Sequence, residues 1–205
     1  EAGEFTEEPS EEAPHTLVVF DSKLQVCAIG RKSRVSQKTK SFGDNFGKLL
    51  DLTESAKLLD VKFSVMAIPD PEQFVTLLRK AERIAEFDIS FSLPNPFDVE
   101  RQFHEPMEQL LQAANGSKGN AKIKGDSISP GIAEKLSRSA SASGDNAKAR
   151  IQMEKGEKLV LKRLDGNPAS IEVENVGDHE GKIKAIAEMQ IKYRKIRKHD
   201  GEGSS

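Results

Sequence analysis

The sequence predicts an α+β protein with a mixed, largely antiparallel sheet and helices on one side of it, ferredoxin-like in part. Two observations carry this prediction. A strand–helix–strand unit lies between Val61 and Phe97. Its strands alternate apolar and polar residues, which is typical of a sheet covered on one face only, because a sheet covered on both faces has near-continuous apolar strands.

The unit between Val61 and Phe97 has a signal for each of its parts. Alternation over 61–67 and 87–93 predicts two strands with one wet face each. Between them, Asp70 is the expected N-cap and Pro71 the first helical residue, followed by apolar residues at helical spacing. Pro94–Pro96 ends the second strand, because proline cannot donate to a ladder.

The remaining elements follow from the same two periodicities. His15–Phe20 and Leu24–Ile29 predict a hairpin, and a helix is expected from Phe42 to Leu59. The second half of the chain predicts a helix from Asp98, a short strand over 121–124, a helix from Ser129-Pro130, a hairpin of 147–153 with 159–164, a strand over 171–176 and an amphipathic helix over 182–198.

Composition predicts the domain organisation. Residues 1–14 carry six Glu and no basic residue, which is typical of an acidic disordered tail. We expect a single α+β domain over 15–199, with a candidate sub-boundary near 115–120, and a polar tail over 200–205. The chain has 205 residues, a length that allows one domain or two small ones. With 36% apolar and 31% charged residues it can form a core but cannot all be core.

The sequence contains no motif for several classes of function. Cys27 is the only cysteine, which excludes an internal disulfide and a cysteine-based zinc site and favours a reducing, cytoplasmic setting. No apolar run approaches the ~20 residues of a membrane span, and no signal peptide is visible. The loop Gly116–Gly119 matches neither a Walker loop nor a dinucleotide fingerprint, so we expect no cofactor.

The sequence gives only weak support to any candidate catalytic residue. Cys27 lies in a predicted strand, where a buried small hydrophobe is the simplest interpretation. The four histidines have no metal-ligand spacing. Glu172 and Glu174 share one face of a predicted strand, which keeps a metal-dependent hydrolase as an alternative. We therefore expect no catalytic residue, and the sequence favours a protein that is not an enzyme.

Basic segments are the strongest functional signal. Five cations fall within residues 31–40 with no acid between them, and others crowd the end of the helix 182–198. Such clusters favour contact with nucleic-acid phosphates, although few exposed aromatics are available to stack bases. The predicted nucleic-acid-binding residues are Arg31, Lys32, Arg34, Lys38, Lys40, Lys192, Arg194 and Lys195. A third basic region contains Lys118, Lys122, Lys124, Arg138, Lys148 and Arg150.

Two segments of the sequence resemble a known protein family. Phe91–Leu110, where a strand ends in Pro-Asn-Pro before a charged helix, and Gly125–Arg150, with its Ser-Ile-Ser-Pro start, resemble a family of uncharacterised bacterial proteins often found near phage-defence genes. The resemblance implies a defence or nucleic-acid context and gives no residue a catalytic role.

The leading hypothesis is a bacterial cytoplasmic protein that binds nucleic acid, or serves in phage defence, through a basic loop at 31–40. A second hypothesis is a protein-interaction subunit, in particular a homodimer formed through the helix 182–198. The third is the metal-dependent hydrolase at Glu172 and Glu174.

Overall fold

The computed structural model describes residues 15–31, 38–92, 104–164, 167–174 and 176–197, without the side chains of His104 and Glu108. The two predicted tails, the Pro94–Pro96 stop and the helix start at Asp98 lie outside these residues. The described elements are β1 (Val18–Asp21), β2 (Val26–Ile29), α1 (Thr39–Asp51), α2 (Glu54–Leu59), α3 (Glu72–Lys80), β3 (Arg83–Ser92), α4 (His104–Ala113), β4 (Lys118–Lys124), α5 (Pro130–Ala142), β5 (Ala147–Gln152), β6 (Val160–Arg163) and α6 (His179–Arg197).

The larger sheet has the strand order β4-β3-β5-β6 and is antiparallel throughout. The ten-residue strand β3 lies inside it and pairs with β4 on one side and β5 on the other, with an irregularity between Ile84 and Glu86 in the second pairing. β1 and β2 form a separate antiparallel hairpin. Helices and antiparallel sheets together confirm the predicted α+β fold.

The inner face of the larger sheet forms the main core. Phe87 and Ile89 of β3 and Ile151 of β5 are fully buried. They pack in one cluster with α3, through Phe74 and Leu78, and with α5, through Ala133, Leu136 and Ala140. Burial of each large side chain contributes about 1.5–3 kcal/mol, so this face anchors the sheet on its helices and leaves the other face to solvent.

A second core lies between the β1–β2 hairpin and α6. Val26 of β2 packs with Met189, Tyr193 and Ile196 of α6 and with Ala142 at the end of α5. α5 therefore contributes to both cores. Asp70 ties α6 to the start of α3: its Oδ2 accepts a hydrogen bond from Lys192 Nζ at 2.6 Å, and its Oδ1 accepts one from Glu72 N–H. The helix begins one residue later than predicted, at Glu72, with Pro71 instead of Asp70 as the N-cap residue.

Two predicted strands are absent from the structure. Residues 61–67 belong to no ladder, and neither do the described residues of 171–176. The amide of Phe63 donates to Asp51 Oδ1 at 2.7 Å instead of to a neighbouring strand. Residues 171–174 do alternate between half-buried and exposed, whereas in 61–67 only Val65 and Ala67 are half-buried and 61–64 are all exposed.

None of the helices in the described ranges is long and apolar enough to cross a lipid bilayer.

Candidate nucleic-acid interface

The outer face of the larger sheet is built by strand register. In β3 it carries Glu86, Asp88, Ser90 and Ser92, which alternate with the buried residues of the core. Residues directly opposite each other in a ladder point to the same face. The residues that register adds are Lys118, Asn120, Lys122 and Lys124 from β4, Lys148 and Arg150 from β5, and Leu161 and Arg163 from β6. We refer to this surface as the outer face.

Cations of the two neighbouring strands, β4 and β5, surround the two carboxylates of β3. Lys122 Nζ lies 2.9 Å from Glu86 Oε2, and Arg150 Nε lies 3.7 Å from the same oxygen. Lys124 Nζ lies 4.0 Å from Glu86 Oε1, and Lys148 Nζ lies 3.3 Å from Asp88 Oδ2. The carboxylates of Glu86 and Asp88 thus lie between the cations of β4 and those of β5, and they lower the repulsion between the two sets of cations.

Glu86 is the centre of this charge arrangement. The hydrogen bond from Lys122 outweighs the opposing effect of burial, and with the charges of Lys124 and Arg150 it lowers the pKa of the Glu86 carboxyl. Glu86 is therefore ionised at neutral pH. Six cations still face two carboxylates on the outer face, so the surface is positive.

The cations remain open to a ligand. The side chains of Lys122 and Lys148 are each 48% exposed, and those of Arg150 and Lys124 are 55% and 67% exposed. Glu86 and Asp88 are less exposed, at 25% and 19%. An incoming anion therefore meets the ammonium and guanidinium groups before it meets the carboxylates.

Five of the six residues of the third predicted basic region lie on the outer face. The exception is Arg138, which is on α5 and is 4% exposed. Its Nε donates to Glu134 Oε1 and its Nη1 to Glu72 Oε1, both at 3.0 Å. Arg138 is thus a buried structural group and not part of a phosphate-binding surface.

The predicted phosphate contacts of segment 31–40 do not lie on the larger sheet. Arg31 follows β2, Lys38 directly precedes α1, and Lys40 lies in the first turn of that helix, where it pairs with Asp44 at 3.2 Å. The expected loop at 31–40 therefore turns into a helix at Thr39. Lys32 and Arg34 fall outside the described residues, so a phosphate site at 31–40 stays a prediction.

α6 confirms the predicted amphipathic helix but directs its apolar side inward. Met189, Tyr193 and Ile196 are buried against the hairpin and α5, whereas Ile183 and Ile191 are exposed. Lys192 is occupied by Asp70; burial opposes ionisation of that carboxyl, but the hydrogen bonds from Lys192 and from the Glu72 amide lower its pKa. Arg194 and Lys195 are exposed to solvent. A homodimer through this helix stays a prediction.

The part of the chain that the structure describes adds no support for the catalytic alternatives. Glu172 and Glu174 are exposed and lie in an irregular segment. Among the residues that the structure describes, no three His, Cys, Asp or Glu side chains are grouped so that they could hold a metal ion. Burial raises the pKa of the Cys27 thiol, which keeps it protonated at neutral pH and a poor nucleophile.

Sequence reasoning missed Arg163 and ranked the outer-face residues below segment 31–40. Part of the signal was present: Lys122 and Lys124 in one predicted strand, and Lys148 and Arg150 in another, stand at even spacing, whereas Lys118 fell in a predicted loop. Even spacing places side chains on one face of a strand. The sequence does not say that these two strands flank the same third strand.

The chain matches no known family model, no curated protein and no solved structure. The resemblance noted from the sequence remains an expectation.

Proposed function

We propose that this protein binds nucleic acid by contacting phosphate groups with the outer face of its sheet. The observation that carries the proposal is the convergence of Lys118, Lys122, Lys124, Lys148, Arg150 and Arg163 from three strands onto one exposed surface. Lysine and arginine groups that neutralise phosphates release condensed counterions, and this release supplies most of the affinity of non-specific binding.

Segment 31–40 is the second candidate contact, because Arg31 is exposed at the end of β2 and further cations follow it. The two surfaces can be tested separately, because the cations of one can be replaced without changing those of the other. A role in bacterial phage defence rests on the sequence resemblance alone and stays a prediction.

The test is neutralisation of the outer face in the full chain. The variant Lys122→Gln/Lys124→Gln/Lys148→Gln/Arg150→Gln should weaken binding of a short DNA or RNA measured by fluorescence anisotropy. Each phosphate contact contributes about 0.9 to the slope of log K against log salt on duplex DNA, so the loss of four contacts should flatten that slope by about 3.6.

Two comparison variants make the result specific. Lys182→Gln/Lys184→Gln removes two exposed charges from the start of α6 and should leave binding nearly unchanged. Arg31→Gln/Lys32→Gln/Arg34→Gln tests segment 31–40. Unchanged affinity and salt slope in the outer-face variant, with a normal far-ultraviolet circular dichroism spectrum, would refute the proposed surface.

A further inference from the structure

We infer, on the basis of the proposed function, that the outer face is suited to the backbone of a nucleic-acid duplex, without regard to base sequence, and disfavours single strands. This specifies the class of ligand that the surface takes. It rests on the side chains that the face carries, on the charge density of the two kinds of ligand and on the width of the sheet.

The first step is the chemistry of the face. Its side chains are lysines, arginines, carboxylates, serines, an asparagine and one leucine, none of them aromatic. Phe87 and Phe91 of β3 point to the opposite side and are buried. Proteins that hold single strands gain about 1–3 kcal/mol per base from stacking on aromatic side chains. This surface offers a single strand no such platform.

The second step is the strength of the electrostatic attraction. Duplex DNA carries one charge per about 1.7 Å of axis, against about 3.4 Å for one strand, and a neutralised phosphate releases more counterion from the duplex. With stacking removed, electrostatics alone ranks the ligands. The same set of cations therefore binds a duplex more tightly than either of its strands.

The third step is the width of the sheet. Neighbouring strands lie about 4.8 Å apart, so the four strands β4-β3-β5-β6 span about 14 Å. The major groove is about 12 Å wide and admits a helix or a two-stranded ribbon. A four-stranded face does not enter it and stays on the phosphates, which carry no direct sequence information.

The charge pattern fits the same ligand. The cations of β4 and those of β5 form two rows on either side of Glu86 and Asp88, about 9.6 Å apart if each strand spacing is about 4.8 Å. The carboxylates repel phosphate from the middle of the face. Contacts are therefore directed to two separate lines of phosphates, which two strands of a duplex provide and one strand does not.

The experiment compares ligands with the full-length chain. Fluorescence anisotropy would be measured with a short DNA duplex, the RNA duplex of the same sequence and each DNA strand alone, from about 50 to 200 mM salt. If about four phosphates are neutralised, we expect a log–log slope of about −3.6 on duplex DNA and about −2.8 on single strands. Both duplexes should bind more tightly than the strands, and the RNA arm reports whether the helix form matters.

Sequence independence is measured in the same assay with an A·T-rich and a G·C-rich duplex, whose affinities should agree within about threefold, since a single mismatched base pair costs a specific binder about 1–3 kcal/mol. A larger difference would overturn that part of the inference. Tighter binding of a single strand than of either duplex would overturn the duplex assignment and leave the proposed function standing. Binding to none of the four ligands would overturn both.

Discussion

Glu86 limits how much of the positive charge on the outer face is available to a phosphate, because three cations lie within 4.0 Å of its carboxylate. Glu86→Gln removes a negative charge, of the same sign as phosphate, from the proposed binding surface and releases these cations from their carboxylate partner. Because the charge removed has the same sign as phosphate, affinity for duplex DNA should rise about fivefold.

A gain of affinity cannot arise from partial unfolding, which makes Glu86→Gln a sharper test than any loss. Anisotropy at low salt measures it, and Glu180→Gln, at the start of α6 on an element that packs against the hairpin and α5, is a control neutralisation. An affinity that is unchanged or lower in Glu86→Gln would show that the ligand does not approach this part of the sheet.

Glu134 is a buried carboxylate held by two arginines between α3 and α5. Arg79 donates two hydrogen bonds of 2.7 Å to its two oxygens, and Arg138 donates one of 3.0 Å. Because Glu134 and Arg138 are only 3% and 4% exposed, Glu134→Gln leaves a buried guanidinium with a weaker partner. We expect a loss of about 3 kcal/mol in the free energy of unfolding by urea at neutral pH.

The same residue predicts a pH dependence. Burial opposes ionisation of Glu134, but the hydrogen bonds from Arg79 and Arg138 prevail and lower its pKa from 4.5. Its contribution is therefore complete above about pH 4.5 and is lost as pH falls through the lowered pKa of the folded state. The gap between wild type and Glu134→Gln should narrow as acid is added. Glu72→Gln, at a 41%-exposed partner, should cost less; an equal cost would contradict the central role of Glu134.

At the scale of elements, α1 lies directly on the segment that follows α2. A methyl group at Gly43 would stand 2.6 Å from the carbonyl oxygen of Val65, and one at Gly47 would stand 3.0 Å from that of Phe63. Alanine in a helix interior is normally more stable than glycine by about 1 kcal/mol. Here Gly43→Ala should instead destabilise by about 1–3 kcal/mol, because the helix must move off the segment.

Amide exchange measures this locally. The Phe63 amide, bonded to Asp51 Oδ1, should exchange faster in Gly43→Ala than in the wild type. Asn45→Ala places the same residue on the exposed side of α1 and should slow exchange slightly or leave it unchanged. Equal protection of Phe63 in the two variants would show that α1 does not depend on this close approach.

The close approach of α1 also explains which elements the sequence predicts well. Alternation predicts one covered side for 61–67, and the structure has it only in part: Val65 lies under Gly43 and Gly47, whereas Val61 and Phe63 are exposed. Alternation does not report whether a neighbouring strand supplies hydrogen bonds. The hairpin of β5 and β6 was predicted correctly because its turn residues bring two such runs together locally.

For the whole molecule, the fold class and the one-sided sheet follow from sequence, whereas the site follows from long-range pairing. β4 and β5 are separated along the chain by α5, and only β3 between them makes Lys122 and Lys148 neighbours of one carboxylate row. Arg138 illustrates the same limit in reverse, because its partner Glu72 lies 66 residues away. Spacing along the sequence predicts neither of these long-range contacts.

The two cores should unfold together, because α5 belongs to both and Asp70 joins α3 to α6. The chain has one tyrosine and no tryptophan, so emission of Tyr193, which is 5% exposed, reports the core between the hairpin and α6 alone. Far-ultraviolet circular dichroism reports all elements. Coincident urea midpoints by the two probes are expected for one cooperative unit, which the predicted single domain over 15–199 requires.

Met189→Ala extends the test, since it removes a buried side chain from the second core at a cost of about 2–5 kcal/mol. In one cooperative unit both midpoints fall by the same amount. If Tyr193 emission changes at lower urea than circular dichroism, or if Met189→Ala shifts the emission midpoint alone, the hairpin with α6 is a separate unit. The outer face would then fold on the sheet core by itself, and the proposed DNA binding would survive Met189→Ala at urea concentrations that already expose Tyr193.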